Sequence, residues 1–236
     1  MIKANFSNLV IEITRRCNMN CAHCMRGDAQ DKDITAEIID KLLKETSAIG
    51  SLTLTGGEVA LNVPAIKYIA KRIRDFNIPV QDIFIATNGK QVTNDFLQAL
   101  LDLFLVADID EEINTICISH DEFHEDIPEE NIKKLKMFRF YNEQTKTWDF
   151  RKGGLINLGR ARNLTGYTKR NIIRQDVDAE LDEDELTFNS IVACTVDGEL
   201  LSDCDYEYCD TDSIKIGAVD DPNWAKTIAN KFVDME

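Results

Sequence analysis

The sequence predicts an α/β fold built around a parallel sheet, and two observations lead to this prediction. Short β-branched, apolar runs alternate with segments that carry apolar residues at helical spacing, and the spacers are long enough for crossover helices. The chain has only 11 Gly and 4 Pro among 236 residues, and 44% of its residues are apolar, which is typical of a globular protein with a sizeable core. Repeated strand–helix units of this kind wind right-handed into a parallel sheet.

Local signals assign the elements in chain order. Period and β-branched content predict strands over 8–14, 52–55, 80–86, 113–119, 137–141 and 154–158. Helices are expected between them, with Thr35 and Thr93 as N-caps, Pro64 in a first helical turn, and a short helix over 129–136. Six strands are fewer than the eight of a closed barrel, so a partial barrel or an open sheet is expected.

The charge distribution divides the chain. The net charge is −15, from 27 basic and 42 acidic residues, yet residues 1–174 carry 24 of each sign. The whole acidic excess lies in 175–236, so we expect a core domain over 1–174 and an acidic auxiliary region over 175–236. In that region, Asp197-Gly198 predicts a hairpin turn and 223–235 an amphipathic helix. Strong negative charge makes broad nucleic-acid binding unfavourable.

No targeting or membrane segment is expected from the sequence. The N-terminus lacks an apolar stretch followed by small residues, and the apolar run over 97–107 is interrupted by Gln98 and Asp102 and is too short to span a bilayer. A cytoplasmic protein without a membrane partner is therefore expected. Since that compartment keeps thiols reduced, its seven cysteines are interpreted first as metal ligands.

Three cysteines follow the first predicted strand directly, in Cys17-Asn-Met-Asn-Cys21-Ala-His-Cys24. Loops at the carboxyl ends of parallel strands are where α/β proteins place ligands. Three thiolates are one ligand short of a closed tetrahedral site, so one coordination position would stay open. The alternative is a zinc site with His23 as fourth ligand.

The C-x3-C-x2-C spacing resembles the signature of the radical S-adenosylmethionine (radical SAM) enzymes. The resemblance implies a partial (β/α)6 radical-SAM-type barrel with a small C-terminal α/β extension. It also implies a 4Fe–4S cluster on Cys17, Cys21 and Cys24, with the fourth iron left for S-adenosylmethionine.

Further motifs at the predicted strand ends carry the same resemblance. Thr55-Gly-Gly-Glu58 is similar to the family's GGE motif, with Val59 where a proline is usual, and Gly159-Arg-Ala-Arg162 is similar to its GRA run. The residues that the resemblance assigns to cofactor binding are His23, Thr55, Gly56, Gly57, Glu58, Asn88, Ser119, Asp121 and Arg160. Each motif alone is also compatible with ordinary turns, and the arginines with a basic face that balances the acidic region.

A second cysteine group occupies the acidic region as Cys194-x9-Cys204-x4-Cys209. It resembles the short "twitch" form of the SPASM extension, which implies an auxiliary iron–sulfur cluster on these three residues. A structural zinc site and free thiols are the alternatives. The remaining cysteine, Cys117, shares strand parity with Ser119 and could face the barrel or simply pack in the core.

The resemblance implies reductive cleavage of S-adenosylmethionine to a 5′-deoxyadenosyl radical that abstracts a substrate hydrogen. The expected partners are a peptide or small-molecule substrate and an external one-electron reductant, and no residue is assigned to substrate chemistry. Two other functions stay open, an activase that installs a radical on a partner protein and a non-catalytic zinc-binding interaction module.

Overall fold

The computed structural model describes residues 2–107, 115–142, 154–174 and 176–233. Its strands are β1 (Lys3–Thr14), β2 (Thr46–Gly56), β3 (Val80–Thr87), β4 (Thr115–Ile118), β5 (Leu155–Ile156), β6 (Lys169–Arg170), β7 (Ala179–Asp182), β8 (Glu185–Cys194), β9 (Glu199–Leu201) and β10 (Lys215–Ala218). Its helices are α1 (Ala36–Lys44), α2 (Val63–Phe76), α3 (Asn94–Phe104), α4 (Glu129–Leu135) and α5 (Trp224–Phe232), with 3-10 turns at Val59–Leu61, Gly159–Asn163 and Asp212–Ile214.

One eight-stranded sheet organises the fold, in the order β10-β9-β8-β1-β2-β3-β4, with β7 also paired to β8. The pairs β1–β2, β2–β3, β3–β4 and β1–β8 are parallel, whereas β7–β8, β8–β9 and β9–β10 are antiparallel. The predicted α/β class is therefore confirmed, as a parallel sheet typical of a partial radical-SAM-type barrel extended by C-terminal antiparallel strands.

Local capping signals locate the helix starts. The hydroxyls of Thr35 and Thr93 accept hydrogen bonds from the backbone N–H groups of Ile38 and Phe96, as expected for N-caps. Pro64 lies in the first turn of α2, where its missing N–H costs nothing. These three predicted helix starts are confirmed to within one residue.

Two predicted strands are not part of the main sheet. Over 137–141 the chain forms turns, and only one parallel bridge joins Tyr141 to Ile116. Over 154–158 only β5 forms, and it pairs with β6 in a separate two-stranded sheet. Residues 113–114, 151–153, 175 and 234–235, which belong to other predicted segments, lie outside the described residues.

The C-terminal region continues the sheet of the core. β8 lies beside β1 over residues 3–11, on the edge opposite to β2. The Asp197-Gly198 turn joins β8 to β9 as predicted, and Gly198 has a φ of +77°, which suits glycine. The acidic run after residue 175 contains β7, whose side chains are half-buried or exposed. The division at 174/175 stays a prediction.

The main core lies between one face of the sheet and the helices α1, α2, α3 and α5. At its C-terminal end the Phe6 ring of β1 stacks on Phe188 of β8 at 5.2 Å and on Trp224 of α5 at 6.2 Å. All three side chains are at most 1% exposed. This stack ties the first strand to the C-terminal region.

We predict that Phe188→Ala lowers the free energy of unfolding of the whole chain by about 3–5 kcal/mol, because a fully buried ring leaves a cavity. Urea unfolding followed by far-UV circular dichroism measures this, and we expect one transition. Phe84→Ala is the matched control, since Phe84 also lies on a strand but is 36% exposed. Two separate transitions, of which Phe188→Ala shifts the first and leaves the second as in wild type, would show that the C-terminal region unfolds on its own.

Candidate functional site

A cavity of about 470 Å³ lies at the carboxyl ends of β1–β4. All nine residues predicted to bind cofactor and the three motif cysteines are among the residues that line it: Cys17, Cys21, His23, Cys24, Thr55, Gly56, Gly57, Glu58, Asn88, Ser119, Asp121 and Arg160. The structure therefore brings together residues that are separated by up to 143 positions in the sequence. Cys117 also lines the cavity, in agreement with its parity with Ser119.

The cysteine loop follows the end of β1 and presents three half-buried thiols. Burial raises the pKa of the Cys17 thiol, and the negative charges of Glu58, Cys21 and Cys24 raise it further. A cationic centre beside Cys17 would offset this effect and favour its thiolate form. This donor set suits a metal centre.

The thiols are not arranged around a single ion. Among the described residues, only His23, Asp121 and His124 form a set of three ligand atoms that all lie within 4.8 Å of one another. Tetrahedral zinc with Zn–S bonds of about 2.3 Å would hold its sulfur ligands closer together than that limit. As placed, the three thiols do not form such a set.

Two glycines allow the loop after β2 to lie directly against the cysteine loop. A Cβ on Gly57 would come within 2.3 Å of the Arg16 carbonyl oxygen and 3.0 Å of the Cys17 Cβ. Gly57 N–H donates to the Thr14 carbonyl and Glu58 N–H to the Arg16 carbonyl, both at 2.9 Å. Glycine is required here by this close approach.

The Glu58 carboxylate is buried and already bonded inside the protein. It accepts hydrogen bonds from Thr87 Oγ1 at 2.6 Å, from the Asn88 backbone N–H at 2.7 Å and from the Ala60 N–H at 3.0 Å. Burial raises the pKa of Glu58 although these hydrogen bonds oppose the shift. Its clearest role in the structure is to join the ends of β2 and β3, and its role in cofactor binding stays a prediction.

An aromatic and acidic cluster forms another wall. The His23 ring stacks on Phe123 with centroids 4.7 Å apart, and its Nε2 lies 3.6 Å from Asp121 Oδ2. Asp121 also lies 2.9 Å from His124 Nδ1 and accepts a hydrogen bond from the Phe123 N–H at 2.8 Å. Burial lowers the pKa of His23. Burial also opposes charging of His124, but hydrogen bonds to Asp121 and Cys21 raise its pKa to about 9.

Asn88 and Ser119 lie at neighbouring strand ends. Asn88 Nδ2 donates to Asn18 Oδ1 at 2.8 Å, which links the end of β3 to the cysteine loop. The Ser119 N–H donates to the Thr87 carbonyl at 2.8 Å, which continues the ladder between β3 and β4. Both side chains therefore sit on backbone that the sheet holds in place.

Arg160 reaches the cavity from the 3-10 turn Gly159–Asn163. Its backbone N–H donates to the Cys24 carbonyl at 2.9 Å, and a Cβ on Gly159 would come within 2.4 Å of the same oxygen. The guanidinium Nε is buried and has no hydrogen-bond partner within the described part of the chain. A buried donor of this kind suits an anionic ligand group.

The three C-terminal cysteines do not share one side of the sheet. Cys194 is completely buried in the helix-covered core, whereas Cys204 packs against a smaller apolar cluster on the opposite face, built from Val10, Ala193, Leu201, Tyr206, Tyr208 and Ile214. Cys209 is exposed. Burial raises the pKa of Cys194 and raises that of Cys204 to about 11, so both are protonated thiols.

Two arginine–tyrosine contacts beside the cavity were not predicted from the sequence, and of their four residues Arg15 and Tyr208 line the cavity. Arg15 lies two positions before Cys17 and its guanidinium covers the Tyr208 ring at 4.7 Å. Arg26 lies two positions after Cys24, covers the Tyr206 ring at 3.8 Å and donates to the Tyr206 carbonyl at 3.0 Å. Through these contacts the C-terminal region closes one side of the cavity, and Tyr208 is part of its lining. A pairing across about 180 positions leaves no local pattern by which it could be found.

The strand ends of a parallel α/β sheet surround a loop that carries three cysteines. This arrangement is typical of proteins that hold a cofactor at the open edge of a partial barrel. Residues 11–162 match the model of the radical SAM superfamily, and the chain belongs to this superfamily. No described helix is long and apolar enough to cross a membrane.

Curated relatives match only part of the chain. A probable GTP 3′,8-cyclase of Pyrococcus abyssi is 34% identical over 87 residues, which cover 35% of this chain and 27% of that protein. The GTP 3′,8-cyclase of Clostridium perfringens is 37% identical over 92 residues, which cover 34% of this chain and 27% of that protein. The match therefore spans about a quarter of the length of these relatives.

A solved structure shares the fold over most of the chain. The structure of anSMEcpe with bound AdoMet has a TM-score of 0.57 and 12% sequence identity, and the match covers 97% of this chain and 82% of that chain. A second structure of anSMEcpe, with bound AdoMet and the Cp18Cys peptide, is similar to the same extent. At this identity the likeness shows the fold alone.

We predict that Glu58→Ala lowers the free energy of unfolding by at least about 3 kcal/mol, because it leaves three buried donors without an acceptor. Denaturant unfolding of the metal-free protein measures this. Glu130→Ala, at an exposed position, is the control and should change stability by less than about 0.5 kcal/mol. Equal stability of both variants would contradict the structural role of the carboxylate.

Proposed function

We propose that this protein is an enzyme that cleaves S-adenosylmethionine reductively and uses the resulting radical to abstract a hydrogen atom from a substrate. The observation that carries the proposal is the cavity in which the thiols of Cys17, Cys21 and Cys24 meet the polar ends of β2, β3 and β4. Three thiol ligands on one loop would hold three irons of a 4Fe–4S cluster and leave the fourth iron open. Membership of the radical SAM superfamily supports the same assignment.

When bound and reduced, the cluster supplies one electron to the sulfonium of S-adenosylmethionine, which gives methionine and a 5′-deoxyadenosyl radical. The protein's own groups bind and orient the cofactor. The unpaired Nε of Arg160 would bind its carboxylate, and the side chains of Asn88, Ser119 and Asp121 would bind ribose hydroxyls. The Gly56-Gly57 backbone allows close approach, and the walls of the cavity exclude water from the radical.

His23 is proposed to lie against the cofactor as well. Its ring is already fixed by Phe123 on one face, and its neighbour Cys24 is a proposed cluster ligand. Burial keeps His23 neutral at pH 7, since its pKa is lowered, so it offers a flat ring without charge.

The substrate is proposed to be a small molecule or a peptide, with an external one-electron reductant. The solved structure of anSMEcpe with the Cp18Cys peptide favours a peptide substrate by its fold, whereas the relatives named as GTP 3′,8-cyclases favour a small molecule. A cavity of about 470 Å³ has the size of ordinary small-molecule sites. We further propose residues 1–174 as the catalytic unit and 175–236 as an auxiliary region that completes its wall.

We predict that anaerobic reconstitution with iron and sulfide gives a brown protein that forms 5′-deoxyadenosine from S-adenosylmethionine and a chemical reductant. Cys17→Ala should lose the visible absorbance and lower 5′-deoxyadenosine formation by at least a hundredfold, because the cluster loses one of three ligands. Product chromatography and visible absorption measure the two effects. Matching far-UV spectra of the metal-free proteins serve as the control for folding. Stoichiometric zinc with no cofactor cleavage would instead support the non-catalytic zinc-binding module.

The resemblance predicts an auxiliary iron–sulfur cluster on Cys194, Cys204 and Cys209, and the placement of these three residues argues against it. Cys194 lies in the helix-covered core on the face opposite to Cys204, so such a cluster would require β8 to turn its side chains over. We therefore expect about four irons per reconstituted chain, unchanged in Cys204→Ser and Cys194→Ala. Iron and sulfide analysis, with Cys17→Ala for comparison, decides between one cluster and two clusters per chain. About eight irons, falling to about four in Cys204→Ser, would establish the auxiliary cluster.

A further inference from the structure

The hydroxyl group of Tyr208 makes no hydrogen bond within the described residues. Its side chain is 91% buried and lines the cavity beside the cysteine loop. Within the described residues, the hydroxyl oxygen is shielded from solvent and has no hydrogen-bond partner. A buried donor without an acceptor is unfavourable, so a group that accepts a hydrogen bond at this place in the cavity would be stabilised.

The position of Tyr208 is fixed on the cysteine loop itself. Its backbone N–H donates to the Arg26 carbonyl at 3.1 Å, two positions after Cys24. The Arg15 guanidinium, on the other side of the cysteine motif, covers the Tyr208 ring. Arg15 in turn donates hydrogen bonds to Glu12 at 3.0 Å and to Gln30 at 3.1 Å. The ring therefore moves with the loop that carries the cysteines.

The two neighbouring tyrosines each have a buried hydroxyl without a hydrogen-bond partner among the described residues, and they differ in their relation to the cavity. Cys24 is among the groups that influence the Tyr208 hydroxyl electrostatically, along with Glu12, Arg26 and Arg15. Tyr206, two residues earlier, is influenced by the charges of Glu12, Arg26 and Arg15. Tyr206 also does not line the cavity. The two tyrosines thus differ in their relation to the cysteine site.

We propose that the Tyr208 hydroxyl donates a hydrogen bond to the sulfur of the iron–sulfur centre held at Cys17, Cys21 and Cys24, and so tunes its reduction potential. This inference rests on the proposed function. Hydrogen bonds to cluster sulfurs stabilise the more negatively charged, reduced form and raise the potential. In this way the C-terminal region sets how readily the cluster of the core accepts its electron, and Tyr208 is a positioning and tuning residue that takes no part in bond cleavage.

The test compares wild-type, Tyr208→Phe and Tyr206→Phe proteins, each reconstituted and free of S-adenosylmethionine. In a redox titration followed by electron paramagnetic resonance, Tyr208→Phe should lower the equilibrium constant for one-electron reduction about tenfold, a shift of about 59 mV to more negative potential. Tyr206→Phe is the matched control, because it removes a buried hydroxyl from the same segment, and its potential should equal that of wild type.

A second measurement detects the donated proton directly at the cluster of the wild-type protein. Electron–nuclear double resonance of the reduced wild-type cluster should show a coupled proton that is lost after exchange into D₂O and is absent from Tyr208→Phe. Equal reduction potentials and equal couplings of the exchangeable proton in wild type and Tyr208→Phe would overturn the proposal. A lower iron content in Tyr208→Phe with an unchanged proton coupling would also overturn it. If wild type itself binds no cluster or cleaves no S-adenosylmethionine, the proposed function fails instead.

Discussion

The buried carboxylate of Glu58 is the interaction on which the cavity depends. Loops that leave the carboxyl edge of a parallel sheet have no ladder hydrogen bonds of their own, so something else must hold them together. Glu58 provides this by accepting from Thr87, Asn88 and Ala60, while its own N–H donates to Arg16. The ends of three strands are thereby joined through one residue. The cysteine loop can lie close to this junction only because Gly56 and Gly57 have no side chains.

The C-terminal region is bound to the core by both backbone and charge. β8 extends the sheet beside β1, and the Phe6, Phe188 and Trp224 rings fill the space behind it. Ion pairs then cross the charge break at residue 174, including Arg162 with Glu207, Lys32 with Asp197 and Lys41 with Asp220. Glu207 is buried, but the other two pairs are exposed and contribute little individually, so the burial and the two arginine–tyrosine contacts supply most of the docking energy. The acidic region is therefore a wall of the site as well as an appendage.

Signals confined to a few neighbouring residues predicted their elements well, and long-range pairing explains the errors. Thr35, Thr93, Pro64 and the Asp197-Gly198 turn act through bonds to residues within four positions, so their effect is visible in the sequence. Residues 137–141 have strand-like composition, but joining a sheet also requires a free edge in the right register. Likewise, nothing local indicates that β8 pairs with β1, or that Cys194 and Cys204 face opposite sides of that sheet.

The amino-acid sequence by itself determined the α/β class, the cysteine loop and the set of polar residues at the strand ends, because strand parity and the carboxyl-edge rule place such residues together. Only the tertiary structure decided that the Glu58 carboxylate bonds inward, that Cys194 lies in the helix-covered core, and that Tyr208 reaches the cysteine loop. These outcomes depend on contacts between residues far apart in the chain, whose energies are realised only when the whole sheet has closed around its core.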